Sequence, residues 1–192
     1  MSIIAITGGI GSGKSVVSKI LATMGYPVYD CDSEAKKIMD NSQAIKSFIR
    51  SNICDKAILP NQSIDRAVLA NVVFKNRNKL EMLNSIVHSA VKEEVLRWSK
   101  HNQLAFVETA ILYQSGLDIL AEHVWEVIAP EQIRIERVIK RNKLSAEQVK
   151  DRIESQDSFV VTNRHQETEL INNDGLEPVL PVIIQLLKNL QK

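Results

Sequence analysis

Apolar residues in this chain fall into short runs separated by longer segments of helical period. Ser2-Ile3-Ile4-Ala5-Ile6 is the first run, and Tyr26-Pro27-Val28-Tyr29-Asp30 the second. With Leu104-Ala105-Phe106-Val107-Glu108, Val124-Trp125-Glu126-Val127-Ile128 and Leu170-Ile171 they predict strands over about 2–8, 26–30, 104–108, 124–128 and 169–172. Between them the period changes. Residues 15–24 read as a helix with Val16, Ile20 and Leu21 on one face and Gly25 as its stop. A helix start follows at Ser33-Glu34, and another at Ile64-Asp65-Arg66, with Ser63 as its cap and Leu69, Val72, Val73 and Phe74 along it. Residues 40–62 are more polar, with Pro60-Asn61-Gln62 as a loop. A long helix is predicted over about 79–100, its apolar face formed by Leu80, Leu83, Ile86, Val87, Val91, Val95 and Trp98. Two helices follow Pro130, and a last one covers about 178–190. Strands alternating with helices predict an α/β fold, a five-stranded parallel sheet with helices on both faces.

The first strand leads directly into Gly8-Gly9-Ile10-Gly11-Ser12-Gly13-Lys14-Ser15, which fits G-x-x-x-x-G-K-[ST]. The spacing has a chemical reason. Consecutive backbone N–H groups must turn inward around a phosphate chain, and glycine adopts the angles this requires. Lys14 then reaches the terminal phosphates as a point charge, the Ser15 hydroxyl is placed to ligate Mg²⁺, and the next helix aims its N-terminal N–H groups at the anion. Gly8, Gly9, Gly11, Ser12, Gly13, Lys14, Ser15 and Val16 are therefore the candidate nucleotide-binding residues, with Ser15 for the metal. Strand, glycine loop and helix occur in the required order, which a glycine turn that binds nothing does not demand. The expected architecture is the three-layer P-loop fold.

Composition narrows the partners. The chain has 192 residues, of which 44% are hydrophobic, enough for one globular domain with a small inserted lobe. No apolar run reaches membrane-spanning length, and the first strand follows Met1 without a basic leader, so a cytoplasmic protein is expected. A net charge of +1, from 24 basic and 23 acidic residues, gives no pull toward nucleic acid or an anionic membrane. Cys31 and Cys54 make neither a disulfide framework nor a zinc pattern.

Further candidate chemistry lies at strand ends and in the basic helices. Asp30 and Asp32 sit where a strand ends and a helix begins, the edge at which open α/β sheets bind ligands. A helix N-cap is the plain structural role for Asp32. The first helix after Pro130 carries Arg134, Arg137 and Arg141. The second opens on Ser145-Ala146-Glu147-Gln148, a capping box, and carries Arg152 and Gln156. Few large apolar residues anchor this stretch, the profile of a mobile lid; the plain alternative is a solvated basic face. His88, on or beside the apolar face of the long helix, reads by itself as a packed histidine.

Taken together these residues resemble the dephospho-CoA kinase family along nearly the whole chain. Ile6-Thr7-Gly8 through Ser15 is similar to the family's form of the P-loop, and Asp30-Cys31-Asp32 to its D-x-D element, whose second carboxylate faces the acceptor hydroxyl. Ile64-Asp65-Arg66 with Leu69 and Phe74 resembles the next block. His88 falls where the family has His-Pro, with Ser89 here in place of proline. Ala110-Ile111-Leu112-Tyr113-Gln114-Ser115-Gly116 resembles P-L-L-x-E-x-G, with Ala110 for the proline and Gln114 for the acid, so no carboxylate role carries over there. Arg137, Arg141, Arg152 and Gln156 match the lid's spaced residues, whereas 157–164 departs from the pattern. Ile171, Asn173 and Gly175 resemble the I-x-N-x-G element near the nucleotide base.

The resemblance implies an ATP- and Mg²⁺-dependent kinase that phosphorylates the ribose 3′-hydroxyl of dephospho-CoA. It implies Asp32, Lys14, Arg137 and Arg141 as catalytic residues. Arg141, Asn173 and Gly175 join the loop in binding ATP, and Asp32, Arg66, His88 and Leu112 contact the acceptor. One domain is expected, with about 1–31, 102–129 and 166–192 as nucleotide-binding core, about 32–101 as substrate lobe and about 130–165 as lid. The chain is expected to act as a monomer on a small molecule. Residue spacing alone leaves other small nucleoside or nucleotide kinases open. A GTP-binding switch needs an N-K-x-D segment on a strand end, and the nearest string, Asn142-Lys143-Leu144-Ser145, lacks the Asp.

Overall fold

Five strands pair in parallel as one sheet in the computed structural model, which describes residues 2–142, 144–157, 161 and 163–190. They are β1 (Ser2–Thr7), β2 (Val28–Asp30), β3 (Leu104–Glu108), β4 (His123–Ile128) and β5 (Thr168–Asn172), in spatial order β2-β3-β1-β4-β5. The helices are α1 (Lys14–Thr23), α2 (Cys31–Asn41), α3 (Gln43–Phe48), α4 (Arg66–Phe74), α5 (Arg77–Ser99), α6 (Leu112–Ser115), α7 (Glu131–Asn142), α8 (Ala146–Asp157) and α9 (Leu180–Asn189). The chain forms two compact units, Met1–Asp30 with Ser99–Lys192, and Cys31–Trp98. The sequence departures noted at 158–160 and 162 lie outside the described residues.

In the first unit β1 is central, and Ile3, Ile4, Ala5 and Ile6 are buried in succession. Successive side chains point to opposite faces, so both faces are covered, as a continuous apolar run requires. Ile6 is in register with Glu108 of β3, and Glu108 with Asp30 of β2. The carboxylates at the ends of β2 and β3 therefore lie on the sheet edge from which the glycine loop leaves β1. Below that edge, Val17 and Leu21 of α1 and Ile183 and Leu187 of α9 pack with Ile4, Ile6, Phe106, Trp125 and Ile171. The Phe106 and Trp125 rings lie 5.2 Å apart. The buried face of α1 is thus Val17 and Leu21 with Ile20 partly buried, while Val16 is 44% exposed, which corrects the face expected from sequence. A helix starting at Lys14 turns Val17 and Leu21, four apart, inward together.

The second unit adds one helix and corrects one cap. Residues 43–53 are helical: Ser42 caps α3 by accepting from the Ile45 N–H at 3.3 Å, and a π-turn carries the chain on through Ile49–Ile53. Ile45, Ile49 and Ile53, each four apart, are all buried. Asp65, not Ser63, caps α4: its carboxylate accepts from the N–H groups of Ala67 and Val68 at 3.1 and 3.0 Å. Ile64 instead bridges to Ile58 in an antiparallel pair. Phe74, at the end of α4, is 78% exposed. The long helix α5 does bury Leu83, Val87, Val91 and Val95 as its period predicts.

Helices α7 and α8 are better anchored than their composition suggests. Ile135, Val138, Val149 and Ile153 are buried against one another, with Ile10 of the glycine loop packed on them. The expectation of a poorly anchored stretch fails because four residues, spaced by one turn on each helix, suffice for a two-helix seam. The capping box forms as predicted: Ser145 Oγ accepts from the Gln148 N–H at 3.2 Å and Gln148 Oε1 accepts from the Ser145 N–H at 3.0 Å.

Candidate active site

Gly13 has φ 102°, in the left-handed region, and a Cβ there would collide with the side-chain amide of Asn173. A Cβ on Gly11, at φ 80°, would collide with the backbone of Arg134. Glycine is required at these two positions by conformation and by close approach together. The loop is closed by the Ser12 N–H donating to the Gly9 carbonyl at 3.1 Å. The N–H groups of Gly11, Gly13 and Ser15 donate to no group among the described residues, which leaves them to meet an anion at the start of α1. The Val16 N–H donates to the Gly13 carbonyl at 2.9 Å, and its side chain is exposed.

Lys14 folds back over the loop, its Nζ donating to the carbonyls of Gly8 at 2.9 Å and Gly9 at 3.4 Å. The ammonium therefore lies at the mouth of the ring of amides. Ser15 is exposed in the first turn of α1. Among the described residues no cluster of three or more His, Cys, Asp or Glu side chains forms a metal cage. One exposed hydroxyl beside a phosphate loop is the kind of donor set that suits Mg²⁺, an ion that keeps waters and binds through substrate phosphates.

Three elements bond to the loop: the turn after β5, α7 and α8. Asn173, just past β5, donates from Nδ2 to the Ser12 carbonyl at 2.8 Å, and its own N–H donates to the Ile128 carbonyl at 2.8 Å. Asp174 closes the following turn by accepting from the Leu176 N–H at 2.9 Å, and this bond lowers its carboxyl pKa. Arg137 of α7 donates from Nη1 to the carbonyls of Ser12 at 3.3 Å and Asn173 at 2.9 Å. Gly175 lies close to the same guanidinium. Asn173, Gly175 and Arg137, far apart in sequence, are thus brought to one side of the P-loop. Arg134 and Gln156, noted in the sequence but not counted among its site residues, reach the loop as well, at the carbonyl and the N–H of Ile10.

Arg141 is not brought to the loop. It is exposed, and its Nε donates to Asn142 Oδ1 at 2.8 Å, one turn beyond Arg137 on α7. Leu112 is 1% exposed, its side chain buried under α6. In the second unit, Asp32 lies in the first turn of α2, which begins at Cys31, so it is not that helix's N-cap. Arg66 donates to Asp40 Oδ1 at 2.8 Å and to the Lys36 carbonyl at 3.3 Å, tying α4 to α2. His88 on α5 is half-buried. Burial and, secondly, the Lys92 ammonium push its pKa below the usual value, so the ring is neutral at pH 7.

The dephospho-CoA kinase family profile matches residues 2–177. The chain belongs to the dephospho-CoA kinase family. A dephospho-CoA kinase from Porphyromonas gingivalis is 38% identical over 197 residues, spanning 100% of this chain and 95% of that one. The crystal structure of TT1252 from Thermus thermophilus superposes with a TM-score of 0.78 at 29% identity, covering 99% of this chain and 96% of that one. The dephospho-CoA kinase from Campylobacter jejuni shares the fold, with a TM-score of 0.66, 24% identity and coverage of 98% and 95%. A member of the dephospho-CoA kinase family is a phosphotransferase, and ATP is the donor that a kinase family implies. No helix among the described residues is long and apolar enough to cross a membrane.

Proposed function

We propose that the protein transfers the γ-phosphoryl group of ATP to the ribose 3′-hydroxyl of dephospho-CoA, giving CoA and ADP. The observation that carries this reading is family membership over residues 2–177 together with an intact P-loop whose Lys14 ammonium donates to the Gly8 and Gly9 carbonyls. In this reading Gly8, Gly9, Gly11, Ser12, Gly13 and Ser15 cradle the β- and γ-phosphates, and Lys14 offsets the charge on the transferred group. Mg²⁺, when bound, would neutralise phosphate charge beside the Ser15 hydroxyl. Asp32 orients the acceptor hydroxyl and accepts its proton. The unit Cys31–Trp98 is the acceptor lobe, in which Arg66 and the neutral His88 contact dephospho-CoA as donors to its polar groups. Positioning and electrostatics supply the rate, since phosphoryl transfer asks little covalent chemistry of the protein. The protein acts as a cytoplasmic monomer with neither nucleic acid nor membrane as partner, in keeping with its net charge of +1.

The test is ADP release from MgATP with dephospho-CoA against a panel of nucleosides and nucleoside monophosphates, with GTP as alternative donor. Release with dephospho-CoA well above every other acceptor is expected. A preference for a nucleoside monophosphate would reassign the acceptor.

The two arginines of α7 are expected to separate in kinetics. Arg137 already touches the loop in the absence of ligand, so Arg137→Ala should raise the KM for ATP about tenfold, the effect of lost ground-state hydrogen bonds. Arg141 serves the reaction only by swinging toward charge that develops in transfer. Arg141→Ala should lower kcat about 10²-fold with ATP affinity and Tm near wild type. Steady-state kinetics with calorimetric ATP binding would show it. An unchanged kcat removes Arg141 from the site.

A further inference from the structure

Ile10 is held at every group it offers. Its side chain packs against the seam of α7 and α8. Its carbonyl accepts from Arg134 Nε at 3.0 Å, and its N–H donates to Gln156 Oε1 at 2.7 Å. The other end of that amide, Gln156 Nε2, donates to the Ala110 carbonyl at 2.8 Å, just after β3. Only one orientation of the amide satisfies both partners, because an N–H needs the oxygen and a carbonyl needs the nitrogen. An amide carries a donor and an acceptor on one carbon, the pair that these two partners need. The Ile10 N–H is thereby turned away from the anion-facing set of Gly11, Gly13 and Ser15 and fixed at the point where that set begins.

We infer that Gln156 is a positioning residue for ATP, acting through Ile10. It ties the phosphate loop to the segment after β3, so the direction of the Gly11 and Gly13 amides depends on a side chain at the end of α8. The inference rests on the P-loop binding ATP and not on the identity of the acceptor. Two breaks follow from the chemistry. Leucine at 156 keeps bulk and loses both hydrogen bonds. Glutamate keeps an acceptor for the Ile10 N–H, but when ionised it sets a carboxylate oxygen against the Ala110 carbonyl. When protonated it donates there and reproduces the amide.

The experiment is calorimetric binding of ATP and of ADP, without acceptor, to wild type, Gln156→Leu and Gln156→Glu between pH 4 and 8, a range that spans the ordinary glutamate pKa of about 4.3, with Tm recorded for each. Gln156→Leu is expected to weaken ATP binding about tenfold at pH 7.5. For Gln156→Glu the ratio of its Kd to that of wild type at the same pH should grow as pH rises, since deprotonation removes the donor to Ala110. A wild-type Kd in folded Gln156→Leu would overturn the inference, and so would a Gln156→Glu ratio that stays flat across the range. If Gln156→Leu does not fold, the pH series on Gln156→Glu decides alone. Because no acceptor is present, a protein that binds ATP but leaves dephospho-CoA untouched would defeat the proposed function and leave this result readable.

Discussion

Lys14→Ala should reduce turnover by about 10³-fold or more, with a folded protein at the end of it. The ammonium donates to two carbonyls of its own loop, Gly8 and Gly9. Losing those bonds removes net stability on the order of 1 kcal/mol each at most, since water reaches the half-exposed site. A Tm lower by a few degrees is therefore expected. The effect on the reaction is far larger, because a positive point charge meets negative charge that grows on the transferred group. ADP release, circular dichroism and thermal melting measure the three quantities. A folded variant with near-normal turnover would show that the loop does not serve a phosphoryl donor.

Asp32→Asn should lower kcat by roughly 10² to 10⁴-fold, the usual worth of a positioned general base, with ATP binding unchanged. The parallel register places the end of β2, Asp30, on the same sheet edge as the loop that follows β1, and Asp32 is two residues further along the chain. A secondary ribose hydroxyl is a weak nucleophile until its proton has an acceptor. Asparagine keeps the shape and removes the base. The position of Asp32 inside the first turn of α2 changes the stability expectation. As an N-cap, Asp and Asn would be equivalent. Inside the first turn, a carboxylate gains roughly 0.3–1 kcal/mol from the helix N-terminus that the amide does not. A slight fall in Tm together with a large fall in kcat is the expected pair. Retained kcat with the same fall in Tm would make Asp32 a helix-terminus charge and nothing more.

The parts of this protein that were legible in the linear chain are those where the physics is local. Apolar runs of strand length marked all five strands to within about two residues, most plainly β1 and β3, where successive residues are buried on both faces and no polar alternation blurs the run. The P-loop was readable for the same reason: backbone angles and a lysine at fixed spacing are properties of eight consecutive residues. The Ser145–Gln148 capping box formed because both its bonds lie within four residues. The helix over residues 43–48 was equally local, signalled by Ser42 as cap and by Ile45, Ile49 and Ile53 at helical spacing, and the surrounding polar residues concealed it.

What surrounds the loop was decided elsewhere. Arg134, Arg137 and Arg141 are one pattern in sequence, spaced along one face of α7, and nothing local distinguishes them. The seam of Ile135 and Val138 against Val149 and Ile153 sets how α7 lies on Ile10. That orientation sends Arg134 and Arg137 to loop carbonyls and leaves Arg141 at the surface beside Asn142. The bond from the Asn173 amide to the Ser12 carbonyl likewise depends on the pairing of β4 with β5. Sequence by itself determined the strands, the anion-binding loop and its lysine, because each is made of neighbours along the chain. Only the tertiary structure decided which distant side chains satisfy the carbonyls and the one outward N–H that such a loop leaves over, because a backbone polar group takes whatever donor or acceptor the packing of other elements brings within about 3 Å.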